Sequence, residues 1–298
     1  MQLTDDKITE IFYLVDDFCK EFNKFIDTRS IGNIPKKKPI MSSSEIITIM
    51  VLFHYGCFRN IKHFYLFYVQ THCKHLFPRT VSYNRFVELM QKQSLIMTLF
   101  LQMCCLGNCT GITYVDSTPI RVCNNKRIKR NKVFKGFAAI GKSTVGWFYG
   151  FKLHILLNDK GEIVNFLITQ GNVDDREALK DKSFLKKITD SLYGDKGYIG
   201  KKLVEMLFVD GIRLITGIRN NMKNTLMELK DKILLRKRSV IETVNDELKN
   251  ICQIEHSRHR SIPNFISNLL SAIIAYCFFP KKPAIKFDVV KSNQLVLF

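Results

Sequence analysis

Thr110-Gly111-Ile112-Thr113-Tyr114-Val115-Asp116-Ser117-Thr118-Pro119 is the stretch on which the reading of this chain turns. Before it, apolar residues recur at helical spacing. After it, they fall into short β-rich runs. Ile112–Val115 is the first such run, and Asp116 stands at its end. Trp147–Leu157 and Ile163–Thr169 follow as strand-like runs, joined by Asn158-Asp159-Lys160-Gly161, which reads as a hairpin turn. A helix is expected over Asp175–Ile188, then a strand Ser191–Tyr193 delivering Asp195, a helix after Tyr198, a strand near Ile212–Thr216, and helices over roughly 236–250 and 264–278. Three antiparallel strands followed by crossover-linked parallel ones predict a mixed five-stranded sheet flanked by helices, an α/β architecture.

Upstream, Ile8, Ile11, Phe12, Leu14, Val15, Phe18 and Phe22 place a helix over residues 4–27. Ser30–Pro39 interrupts the pattern with Gly32, Pro35, a lysine run and Pro39. Ser42 then opens a helix with Glu45 three residues on, the spacing of a capping box. Further helical patterns cover roughly 60–70 and 82–106, the second capped at Ser82. The expected division is a helical region over 1–109 and an α/β domain over 110–290, with a tail, Lys291–Phe298, that frays.

Lys and Arg number 46 against 27 Asp and Glu, a formal charge of +19, so polyanions are the natural partners. The nine cysteines are odd in number and form no C-x-x-C pair, which reads as reduced thiols in a cytoplasmic protein. Cys73 beside His72 and His75 lacks a second ligand pair for zinc. The apolar runs Ile46–Phe58 and Phe265–Phe279 are shorter than the ~20 residues a membrane span needs, so no membrane partner is expected.

Asp116 and Asp195 each follow a strand, where α/β sheets gather ligands. Two neighbouring carboxylates call for a cation, and hard oxygen donors favour Mg²⁺ or Mn²⁺. In the helix expected over 236–250, Ile241, Val244, Leu248 and Ile251 form an apolar stripe beside a polar one of Arg238, Glu242, Asn245 and Lys249. Read alone, that polar stripe is a solvated face.

Asp116, Asp195 and Glu242 on this order of elements resemble the DDE triad of ribonuclease H-like transposases. The helix resembles their Tyr–Arg–Glu–Lys signature. Arg238 precedes Glu242 by four residues and Lys249 follows it by seven, while Leu235 stands at the Tyr position. The Tyr193-Gly194-Asp195-Lys196-Gly197-Tyr198 box and Gly150-Phe151-Lys152-Leu153-His154 fit as well. The chain length, the helical first third and the short spacing from Asp195 to Glu242 are similar to the insertion-sequence 982 type.

The resemblance implies a ribonuclease H-like catalytic domain in a bacterial insertion-sequence transposase. It implies two Mg²⁺ or Mn²⁺ ions held by Asp116, Asp195 and Glu242, cleavage of element ends, and 3′-OH strand transfer into target DNA. Partners would be double-stranded DNA, as terminal inverted repeats and target, and a second copy of the chain on that DNA. The N-terminal helices would bind DNA ends or dimerise. Arg238 and Lys249 would contact phosphates near the scissile bond. A purely hydrolytic ribonuclease H-like nuclease or resolvase would share the triad without needing those two cations. A domesticated, non-catalytic DNA-binding protein would not need the triad.

Arg121 to Lys142 holds no acidic residue, and Lys126, Arg127, Lys129, Arg130 and Lys132 are candidates for tracking the DNA backbone. Lys152 and His154 alternate with apolar neighbours and are expected to face solvent. Asp174 or Asp175 is expected to cap the following helix. His54 and His63 read as core histidines, and Glu255–Arg260 as an exposed connection between helices.

Overall fold

The computed structural model describes residues 2–27, 39–218, 222, 226–255, 259–285 and 295–297. The expected break over 30–39 and the centre of the 255–260 connection lie outside them, apart from Pro39 and the flanking Glu255, His259 and Arg260. Two compact units emerge: Met1–Cys105 with Glu247–Phe279, and Leu106–Asp246 with Pro280–Phe298. The last helical stretch, read from sequence as part of the 110–290 domain, thus groups with the N-terminal helices.

In the first unit α1 (Asp5–Asp27) buries Ile8, Ile11, Val15 and Cys19, a one-sided stripe lying against α2. Helix α2 (Ser43–Tyr55) is buried almost all round and begins with the expected capping box: Ser42 Oγ accepts from Glu45 N, and Glu45 Oε2 from Ser42 N. The short α3 (Ile61–His63) passes into π-helical Phe64–His72. The expected 82–106 helix is interrupted at Lys92–Gln93, giving α4 (Tyr83–Gln91, capped by Ser82) and α5 (Ser94–Phe100), then π-helical Leu101–Cys105.

Helix α11 (Ile262–Cys277) packs on α2, burying Phe265, Leu269, Ile273 and Tyr276. Each such side chain removed from water contributes about 1.5–3 kcal/mol before entropy is counted. His54 is buried here, its Nδ1 2.6 Å from the Cys252 carbonyl oxygen, whereas His63 is exposed and not in the core. All nine cysteines are free thiols.

The second unit is built on β1 (Ile112–Cys123), β2 (Ala139–Ser143), β3 (Gly146–Asn158), β4 (Ile163–Gln170), β5 (Asp190–Gly194) and β6 (Ile212–Thr216). β1 runs antiparallel to β3 along most of its length and parallel to β5 only through Ile112, Thr113 and Tyr114, and β5 runs parallel to β6. The five expected strands are all present, in a mixed sheet five strands wide. The sixth, β2, shares an edge position: β2 pairs with residues 146–150 of β3 and β4 with residues 151–157. β1 extends well past Val115, because β3 pairs with it as far as Cys123. Asp116 therefore lies within the strand, two residues beyond the parallel pairing with β5, and not at its end.

Helices cover both faces of this sheet. On one face α6 (Asp175–Ala178), α7 (Lys182–Leu185) and α8 (Lys201–Val209) enclose Val115, Leu156, Val164, Leu192 and Phe184. The helix expected over 175–188 is two separate turns, with Asp174 capping the first and Asp181 the second. β7 (Leu226–Glu228) leads into α9 (Leu229–Arg236), which lies on the other face; α10 (Ser239–Asp246) follows and continues as π-helical Glu247–Ile251. In the tail, β8 (Leu295–Leu297) pairs antiparallel with β7; the rest of Lys291–Phe298 lies outside the described residues. No helix among the described residues is long and apolar enough to cross a membrane.

Candidate functional site

The two-residue period of a strand decides which side chains meet. On β1, Tyr114 and Asp116 face one way and Val115 and Ser117 the other. On β5, Tyr193 shares the Tyr114 face, their ring centroids 5.5 Å apart, and Asp195 comes two residues later. Asp195 closes the strand by capping a short 3₁₀ turn, its Oδ1 accepting from Gly197 N at 2.7 Å.

Helix α9 is moored to this face by polar contacts. The Tyr193 hydroxyl donates to buried Asp231 at 2.8 Å, Arg213 donates to the same carboxylate at 3.2 Å, and the Tyr114 hydroxyl donates to Leu234 O at 3.4 Å. The chain breaks helix at Lys237–Arg238 and re-enters it as α10, which buries Val240, Ile241, Val244 and Asn245 and leaves Glu242 exposed.

Asp116, Glu242 and the Arg238 guanidinium come together here. Arg238 Nη2 donates to Glu242 Oε1 at 2.7 Å, and Nη1 lies 3.8 Å from Asp116 Oδ1. Asn245 Nδ2 donates to the other Asp116 oxygen at 3.0 Å. Burial is the largest influence on Asp116 and pushes its carboxyl up to about 6. Arg238 and the Ser117 backbone N–H oppose the rise, and Asp195 and Glu242 add to it. Asp195 and Glu242 thus both act on Asp116, within one unit. Asn245, left without a role in the sequence reading, is a direct partner of Asp116; its place in the polar stripe with Arg238 and Glu242 was the available signal.

Lys249 falls in the first unit, its Nζ 4.0 Å from Glu255 Oε1. Lys126, Arg127, Lys129 and Arg130 occupy an exposed 3₁₀ turn (Asn125–Arg130), and Lys132 is exposed just after it.

The opposite face overturns the expectation for Lys152 and His154. His154 is fully buried, with Nε2 2.8 Å from Thr169 Oγ1, and burial lowers its pKa to about 4. Lys152 is largely covered and donates to Asp175 Oδ1 at 2.9 Å and Val173 O at 2.8 Å. Ser117 Oγ donates to the same Asp175 oxygen at 2.8 Å. Alternation suggests one wet face only when the other is solvated, and this sheet is covered on both. Asp174 is the helix cap, as one of the two alternatives had it, and Asp175 is tied to β1 and β3.

Among the described residues, no three His, Cys, Asp or Glu side chains are gathered closely enough to hold a metal ion as they stand. The donor chemistry nevertheless fits one. Asp116, Asp195 and Glu242 are hard oxygen donors of like charge, and the Arg238 guanidinium supplies the cation between two of them.

A family model described as a transposase DDE domain matches residues 106–262, more than half of the 298 in the chain. Among solved structures, the piggyBac transposase synaptic complex with hairpin DNA is similar at a TM-score of 0.46 and 11% identity, over 92% of this chain and 71% of that one. No curated protein matches the sequence.

Proposed function

The chain belongs to the transposase DDE-domain family, as an enzyme acting on DNA, and from that premise we propose that Asp116, Asp195 and Glu242 are its catalytic carboxylates. The observation that carries the assignment is Asp116. It is a largely buried carboxyl pushed up to about 6, with two further carboxylates in its field and Arg238 beside it.

In this reading the element is a bacterial insertion sequence, and the reaction is cleavage of its ends followed by strand transfer. Asp116 and Asp195 would hold divalent cations from the sheet, and Glu242 would complete the set from α10. When two Mg²⁺ or Mn²⁺ ions are bound, they lower the pKa of the attacking water and stabilise charge on the leaving 3′ oxygen. Asn245 fixes one oxygen of Asp116, leaving the other toward Arg238. Arg238, beside Asp116 and Glu242, would orient a phosphate through its guanidinium. No side-chain nucleophile enters the sequence of steps. A second copy of the chain holds the other element end, and the helices of the first unit bind ends or dimerise.

Asp116→Ala is the decisive variant. End-labelled DNA cleavage is expected to fall by at least about a thousandfold while gel-shift affinity persists. Retained cleavage would overturn the assignment. A pre-cleaved 3′-OH end should be joined to target DNA by the parent chain, and failure to join favours the purely hydrolytic reading. Neutralising Lys129, Arg130 and Lys132 should weaken binding to all sequences alike. The salt slope should flatten by roughly 0.9 for each DNA phosphate that the variant no longer neutralises, and an unchanged slope would leave the segment a solvated loop.

A further inference from the structure

We propose that Trp147, on the hairpin formed by β2 and β3, is a stacking platform for a base that has left the DNA helix. The inference rests on the reading that this chain acts on DNA.

From Ser117 to Asn158 the sequence has no Asp or Glu, so the hairpin and the turn before it form a surface of one charge. Apolar side chains stand out of that surface: Trp147 is 61% exposed and Val145 at the tip 82%, with Phe137 and Ile140 about half exposed. Large aromatics left in water inside a cationic field indicate an absent occupant. Cross-strand pairing sets Lys142 opposite Trp147, its Nζ 5.7 Å from the ring centroid. Asn125 Nδ2 donates to Trp147 O at 2.8 Å, which ties the cationic Asn125–Arg130 turn to the residue that carries the ring. An exposed indole, a cation over it and further cations beside it are the parts of a single-strand platform: charge follows the backbone and the ring takes a base face.

Charge complementarity selects the occupant. A second copy of this face would bring like charge against like charge, whereas a polyanion is attracted. Away from a DNA end both faces of each base are covered by its neighbours, so there the ring stacks only on a base displaced from the helix.

Trp147 is the sole tryptophan of the chain, so its emission reports on this position alone. The full chain would be titrated, without divalent cation, with two labelled duplexes of one sequence, one fully paired and one carrying an unpaired adenine. Emission would be read alongside label anisotropy. The unpaired adenine should quench Trp147 strongly and bind about tenfold or more tighter to the parent than to Trp147→Ala. Trp147→Phe should recover most of that loss, and the paired duplex should bind parent and variant within about twofold. Anisotropy showing binding with no quench, or with equal quench by both duplexes, overturns the proposal and leaves the transposase reading standing. Concentration-dependent emission shifts without DNA would make the occupant a second copy and also overturn it. Absence of binding to either duplex would count against the DNA-binding reading itself. Should Trp147→Ala fail to fold, the quench of the parent chain still decides.

Discussion

Asp116 and Ser117 are neighbours on one strand, yet they belong to two differently built surfaces. On the Ser117 face, a hydroxyl and an ammonium share one carboxylate: Ser117 and Lys152 both donate to Asp175, and His154 is sealed in as a neutral ring. On the Asp116 face, Asp116 and Glu242 meet one guanidinium with the Asp195 carboxylate also acting on Asp116, and burial leaves the Asp116 carboxyl reluctant to ionise. The first surface neutralises its own charges. The second has an excess of negative charge that a divalent cation would answer. The difference shows which polar clusters position a site and which await something from outside.

The contrast can be broken at several points. The largest expected effect concerns acid stability through His154. Its folded value, about 4, lies below the unfolded value of about 6.5, so folding excludes the protonated ring. The contribution, at most about 3 kcal/mol, is fully present above pH 6.5 and lost as the pH falls toward 4. Urea unfolding of His154→Met across that window should show a pH dependence shallower by up to about 1.4 kcal/mol per pH unit, and an unaltered profile would contradict the sealed-ring picture.

Asp175→Ala comes next, leaving Lys152 covered and without its counter-charge at a cost of about 2–3 kcal/mol, while Lys152→Met with Asp175→Leu should return to within about 1 kcal/mol of the parent. Asp116→Asn should act in the opposite sense. Because the folded carboxyl is raised, its ionised form costs stability that is lost as the pH rises through about 6. Without divalent cation at pH 7.5 the variant should therefore be about 1–2 kcal/mol more stable than the parent, and it is expected to lose cleavage. Destabilisation there would mean that the two faces are alike. Asn245→Ala, which removes one hydrogen bond to Asp116, should cost about 1 kcal/mol and lower cleavage about tenfold, as read by thermal melting and initial rates.

Much of this organisation is legible in the sequence, for identifiable reasons. The capping box at Ser42, the β3–β4 hairpin and the apolar run that becomes α11 follow from local chemistry, which the tertiary structure leaves intact. Asp116 and Asp195 stand out because each follows an apolar run, and Glu242 because Arg238 lies one helical turn before it. β2 is hidden: Ala139-Ile140-Gly141-Lys142-Ser143 has a glycine at its centre and only one β-branched residue, so long-range pairing with β3 alone makes it a strand. Lys152 and His154 mislead because alternation reports which residues share a face, not what covers that face. The grouping of Glu247–Phe279 with the N-terminal helices is invisible for a similar reason, since the sequence runs on from 246 to 247 without a linker.

The shared edge of β3 has a consequence for reading mutational data. Where β2 and β4 meet end to end, a Cβ on Gly141 would run into the carbonyl oxygen of Gly171, one on Gly150 into that of Ile120, and one on Gly171 would press on Ala139 O. None of the three has the positive φ that usually explains an obligatory glycine, so the demand is for space and not for conformation. A saturation scan scored by transposition would therefore find these glycines as intolerant as the carboxylates. Ranking positions by intolerance alone would place a packing seam among the candidate active-site residues; scoring abundance beside activity would separate the two.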